Sequence, residues 1–86
     1  MANYKIVVKK SVAKDLRCIP NKDIARILER IDLLCKNPRA EGCIKLSGQE
    51  RYRVRQGIYR IIYEIQDFEL IVFVVKVAHR AEVYQN

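Results

Sequence analysis

The stretch Arg51-Tyr52-Arg53-Val54-Arg55-Gln56-Gly57-Ile58-Tyr59-Arg60 decides how this chain is read. Arginine alternates with apolar side chains, and successive side chains of a strand point to opposite faces. Arg51, Arg53 and Arg55 therefore leave one face of a strand, and Tyr52 and Val54 the other. Gly57-Ile58 suits a two-residue hairpin with glycine first, the type II′ pattern. If Gln56 pairs with Tyr59, Arg55 lies opposite Arg60, Arg53 opposite Ile62 and Arg51 opposite Glu64. Directly opposed residues share a face. Arg53, Arg55 and Arg60 then form a compact cationic patch, and Glu64 partly neutralises Arg51. Like charges held opposite each other cost stability unless an anion lies between them. The simplest reason to keep these guanidinium groups together is a polyanion, nucleic acid above all.

Working outward from the hairpin, Tyr59 to Ile65 and Leu70 to Val77 continue as strands, joined by a turn at Gln66-Asp67-Phe68-Glu69. The last strand is apolar on both faces, as expected inside a sheet covered by helices. Upstream, Tyr4 to Val8 is rich in β-branched residues and reads as a first strand. Ser11 is placed to cap a helix that carries Val12, Leu16 and Ile19 at helical spacing and stops at Pro20. Asn21 is placed to cap a second helix, whose Ile24, Ile27, Leu28, Ile31, Leu34 and Cys35 make one apolar stripe before Asn37-Pro38. Ile44 to Leu46 is a short strand candidate, and Gly48 to Glu50 a turn. The order β-α-α-β-β-β predicts an α+β domain in which a helical hairpin packs on a small, mainly antiparallel twisted sheet.

The chain has 86 residues and is read as one domain over residues 1–86. Hydrophobic residues at 50% and charged residues at 31% fit a globular protein with its own modest core. Seventeen lysines and arginines against ten acidic residues give a net charge of +7, an excess that attracts phosphates or acidic partners. No stretch reaches the roughly 20 apolar residues of a membrane span. The first ten residues lack a secretion-signal pattern. Cys18, Cys35 and Cys43 are an odd set without CxxC spacing, which fits reduced thiols in a cytoplasm better than a disulfide framework or a zinc site. One histidine and scattered carboxylates predict no metal site, and the isolated glycines predict no phosphate-cradling loop.

The chain ends His79-Arg80-Ala81-Glu82-Val83-Tyr84-Gln85-Asn86. Histidine is the side-chain type suited to moving protons near neutral pH, and the chain has one, His79. It is expected just after the last strand, beside Arg80 and next to the basic hairpin. Tyr84 offers an aromatic face of the kind that stacks on unpaired bases.

Three segments together, Lys45 to Gly48, Tyr52 to Ile65 and His79 to Tyr84, resemble the RelE family of bacterial and archaeal toxins, within the RelE/ParE superfamily. The resemblance covers nearly the whole chain and includes the element order. It implies a cytoplasmic type II toxin that cleaves messenger RNA in the ribosomal A site, with no metal or other cofactor, and a cognate antitoxin that neutralises it. The implied reaction is attack of a ribose 2′-hydroxyl on the adjacent phosphate. Carried onto this chain residue by residue, the resemblance makes Arg53, Arg55, Arg60, His79, Arg80 and Tyr84 the expected catalytic residues. Lys45, Arg51, Arg53 and Arg55 are the expected RNA contacts. Some members have lysine where this chain has Arg53 and Arg55. Arginine stays protonated, which leaves His79 as the residue suited to acid–base work. The competing expectations are a ParE-like inhibitor of DNA gyrase without nuclease chemistry, and an inactive relic that still binds an antitoxin. The polar faces of the helices and the edge strand from Tyr4 to Lys9 are the candidate antitoxin surfaces.

Overall fold

The computed structural model describes residues 3–46, 48 and 50–79. The elements run β1 (Lys5–Val8), α1 (Lys10–Arg17), α2 (Asn21–Leu34), β2 (Ile44–Lys45), β3 (Arg51–Gln56), β4 (Tyr59–Gln66) and β5 (Ile71–His79). The five strands form one sheet in the order β1-β5-β4-β3-β2. β1 lies parallel to β5, with Lys5 opposite Ile71 and Val8 opposite Val74. The other pairs are antiparallel. The α+β expectation holds, and the short segment at Ile44 adds a fifth strand.

Both helices cover one face of the sheet. Val12, Ile19, Ile27, Ile31 and Leu34 meet Val54, Tyr59, Ile61, Tyr63, Val72, Val74 and Val77 in a single core. Leu28 departs from the expected stripe and is exposed. The expected caps are also corrected. Ser11 lies inside α1, because the Lys9 N–H pairs with the Val74 carbonyl and the Val12 N–H already bonds back to the Lys9 carbonyl. The chain therefore turns from strand into helix without a capping side chain. Asn21 lies inside α2, because Pro20 occupies the cap position with φ −56°. Its carbonyl accepts from the N–H groups of Asp23 and Ile24.

The β3–β4 register matches the sequence expectation at every position: Arg51 faces Glu64, Arg53 faces Ile62 and Arg55 faces Arg60. Gly57 has φ +62° and Ile58 has no positive φ, as a type II′ turn requires. β5 runs two residues further than expected and takes His79 into the strand. Its pairing with β4 slips between Ile62 and Tyr63: Ile62 faces Lys76, but Tyr63 faces Val74. Val75 is the extra residue of a bulge, and one extra residue reverses which side chains face which side. Val72 and Val74 point to the helices before the bulge. Val77 and His79 do so after it, opposite Ile61 and Tyr59. Among the described residues, no helix is long and apolar enough to cross a membrane.

Candidate functional site

The sheet has one face under the helices and one face away from them. Strand alternation places Arg53, Arg55, Arg60, Ile62 and Ala78 on the second, open face. The three arginines differ in exposure. Arg55 is exposed and Arg53 is half-buried, whereas Arg60 is only 3% exposed and is the one buried charged residue of the described core. A buried guanidinium is expensive to desolvate and is kept where its surroundings compensate it. The expected surface patch is thus a graded one, with a charge set into the sheet at Arg60 and a more accessible charge opposite it at Arg55. Arg53 Nη1 is buried and has no hydrogen-bond partner among the described residues.

The flanking cations behave differently. Arg51 is paired with Glu64 at 3.1 Å, as the register expectation implied. Lys45 reaches Glu50 at 3.7 Å. Both are tied to carboxylates, which leaves Arg53 and Arg55 as the hairpin cations with no ion pair among the described residues.

His79 ends β5 instead of following it. It stands on the helix side, directly opposite Tyr59, with the two rings edge-on at 6.0 Å. The Tyr59 hydroxyl donates to Asp23 of α2 at 3.3 Å, and burial first, then Asp23, pushes its ionisation upward. His79 also lines a cavity of about 320 Å³ with Lys14, Asp15, Cys18, Ile19, Tyr59 and Val77. The sheet itself separates this cavity from Arg53, Arg55 and Arg60. The Val75 bulge is the cause: without it, strand parity would carry residue 79 to the arginine face. Arg80 and Tyr84 lie outside the described residues.

Sequence reasoning did not find a second polar cluster. Arg39, on the loop after α2, grips Asp67 with two hydrogen bonds of 2.8 and 3.0 Å. Tyr4 donates to the same carboxylate at 2.7 Å, and the Arg39 guanidinium lies 5.6 Å from the centre of the Tyr52 ring. The hydrogen bonds from Arg39, and then from Tyr4, hold the Asp67 carboxyl down at about 2. Beneath this cluster Tyr52 stacks on Tyr63 with centroids 5.9 Å apart, and the buried Tyr63 hydroxyl donates to the Pro38 carbonyl at 2.6 Å. The cluster joins residues far apart in sequence and fixes the loop that carries Gly42 and Cys43. Its signals, one arginine and one aspartate in two turns, are too common to be read in advance. Among the described residues, no three His, Cys, Asp or Glu side chains are grouped to hold a metal ion.

The family described as ParE toxin of type II toxin–antitoxin system, parDE, matches residues 6–84. The chain is 31% identical over 87 residues to the putative toxin RelE1 of Methanocaldococcus jannaschii, covering 96% of this chain and 97% of the relative. It is 26% identical over 85 residues to toxin RelG of Mycobacterium tuberculosis, covering 96% and 98%. The fold superimposes on the RelBE2 toxin–antitoxin complex of Mycobacterium tuberculosis with a TM-score of 0.84, at 26% identity over 94% of this chain and 95% of the other. It superimposes on the archaeal RelE–RelB complex of Pyrococcus horikoshii with a TM-score of 0.81, at 31% identity over 91% and 96%. The matched span takes in both helices, all five strands and the arginine hairpin, and the chain belongs to the RelE/ParE superfamily of type II toxins, as a member of the RelE family.

Proposed function

We propose that this toxin is a ribosome-dependent endoribonuclease that cuts messenger RNA in the A site. The observation that carries the reading is the directly opposed pair Arg55 and Arg60 on the open face, with Arg53 beside it. In the proposed reaction the ribose 2′-oxygen attacks the adjacent phosphorus and loses its proton. The bond from phosphorus to the 5′-oxygen breaks, and that oxygen gains a proton. The products are a 2′,3′-cyclic phosphate and a 5′-hydroxyl. Negative charge builds on the non-bridging oxygens as the new bond forms. Arg60, set into the sheet, and Arg55 opposite it are the donors for that charge, and donors are worth most where charge develops. Arg53 holds a neighbouring phosphate in the same scheme. Arg80 and Tyr84 keep the roles that the family resemblance implies, and Tyr84 would stack on or orient a base. His79 is left out of the reaction, because it faces the helices.

The proposed partners are the ribosome with its message, which places the activity in the cytoplasm, and a cognate antitoxin. The superimposed structures include RelB–RelE type complexes, and a chain with net charge +7 suits an acidic, partly disordered partner.

The test is translation of a defined message in a cell-free bacterial system, with breaks mapped by primer extension and the exposed Arg55→Gln variant alongside. Breaks at A-site codons that need ribosomes are expected, with a fall of about 10²–10³-fold in the variant, as for loss of one preorganised donor. Intact transcripts would refute the nuclease reading. A second reading, inhibition of DNA gyrase, is favoured by the family match described as ParE. Relaxed DNA left unsupercoiled by gyrase in the presence of the toxin would support it. Intact transcripts and active gyrase together would point to an inactive antitoxin binder.

A further inference from the structure

β2 pairs with β3 only at Ile44–Arg53 and Lys45–Tyr52. Among the described residues, the outer edge of β3 has no strand beside it from Val54 onward. At this step in the sheet a cavity of about 370 Å³ opens, lined by Arg30, Gly42, Ile44, Arg53, Val54 and Arg55. Three of its six lining residues are arginines, and they arrive from different elements. Arg30 comes from α2 on the helix side, and Arg53 and Arg55 from β3 on the open face. Gly42 turns the loop with φ +92°, and a β-carbon there would sit 3.5 Å from Arg30 Nη2. The Arg30 guanidinium therefore lies against bare backbone at the rim of the cavity.

Charge balance separates these arginines from their neighbours. Arg39, Lys45, Arg51 and Lys76 each hold a carboxylate. Arg30, Arg53 and Arg55 have no ion pair among the described residues, and Arg53 Nη1 is buried without a hydrogen-bond partner among them. Three arginines lining one cavity, one of them with an unused buried N–H, suit an anion with several acceptor oxygens. Guanidinium forks match a phosphate in that way.

We propose that Arg30, Arg53 and Arg55 form a second phosphate subsite, which takes a backbone phosphodiester of the RNA strand next to the one held between Arg55 and Arg60. This rests on the reading that RNA is the substrate, and it adds Arg30 as a binding residue that the hairpin pattern does not show. Arg55 belongs to both positions, so the strand runs continuously from the open face over the edge of β3 to α2. Arg30 positions the strand and takes no part in bond cleavage.

The test is binding of a short, unstructured, fluorescein-labelled single-stranded RNA, followed by anisotropy across a salt series without ribosomes. Each phosphate contact on a single strand contributes about 0.7 to the slope of log K against log salt. Arg30→Gln is expected to lower the slope by about 0.7. Arg17→Gln, which removes the same charge from an exposed position on α1, is expected to keep the wild-type slope. Arg30→Lys is expected to restore the slope with weaker binding, since lysine keeps the charge but lacks the fork. Equal slopes for Arg30→Gln and wild type overturn the subsite, and so does a wild-type protein that binds no RNA. Should Arg30→Gln fail to fold, titration of the wild type with inorganic phosphate replaces it. Guanidinium Nε–H signals of all three arginines moving with one midpoint support the subsite, and movement of Arg53 and Arg55 without Arg30 overturns it. Absence of ribosome-dependent cleavage with these results intact refutes the nuclease reading alone.

Discussion

Removing a single oxygen, in Tyr63→Phe, tests how the fold holds its site. Tyr63 is fully buried, and its hydroxyl donates to the carbonyl of Pro38, itself buried, at 2.6 Å. Burial raises the ionisation of this phenol far above its ordinary value, so the hydroxyl is a proton donor at every working pH. Phenylalanine fills the same volume and leaves no cavity. The change removes the bond to Pro38 together with the hydroxyl's contact with the Cys43 thiol and strands a buried carbonyl, which costs about 1–3 kcal/mol. In a domain of this size each kcal/mol moves the melting temperature by about 4–8 °C. A fall near 10 °C is expected by differential scanning calorimetry. Tyr52→Phe is the internal comparison, because the Tyr52 hydroxyl is half-exposed and only accepts a long bond of 3.3 Å from Arg39 Nε. It should lose much less. Equal losses in the two variants would show that the Pro38 bond does not anchor the loop and would refute the reasoning.

Two further outcomes follow from the geometry. The Asp67 carboxyl sits at about 2 when folded against 3.8 unperturbed, so its contribution to stability is fully present above 3.8 and is lost as pH falls toward 2. Melting curves across that window should show wild type losing its advantage over Asp67→Asn, and parallel curves would sink the idea. His79→Gln should cut RNA on ribosomes at the wild-type rate. A loss of about 10²-fold or more, the usual scale of general acid–base catalysis, would put His79 back among the reacting groups.

The hairpin was the most legible part of the chain because its information is local. Strict alternation and one glycine at a turn set the register of β3 and β4 without help from the rest of the molecule. Arg51 with Glu64 and Arg55 opposite Arg60 followed from that register alone. The family assignment was legible for a related reason, since its marks lie in the same hairpin and at the tail. What stayed hidden depends on distant partners. Val75 looks like any other valine in an apolar run, and only the packing of β5 between β1 and β4 makes it the extra residue that turns His79 away. The burial of Arg60 is set by neighbours such as Ala78, not by its own sequence context. Ser11 and Asn21 have the right chemistry for caps, but the β1–β5 pairing starts α1 two residues earlier and the fixed φ of Pro20 starts α2 one residue earlier.

The place of β5 in the sheet has a consequence for how the toxin comes into being. Among the described residues β5 is the last strand in chain order, yet it lies between β1 and β4 and pairs with both. A nascent chain that has emerged only as far as Gln66 can form the β2-β3-β4 meander, but β1 has nothing to pair with. Arg60 also lacks the strand that bears Ala78 opposite it. Non-local pairing of this kind closes late and slowly, and synthesis adds only about 5–20 residues per second. Until β5 has been made, the β3–β4 hairpin and its arginines therefore stand in an unfinished sheet.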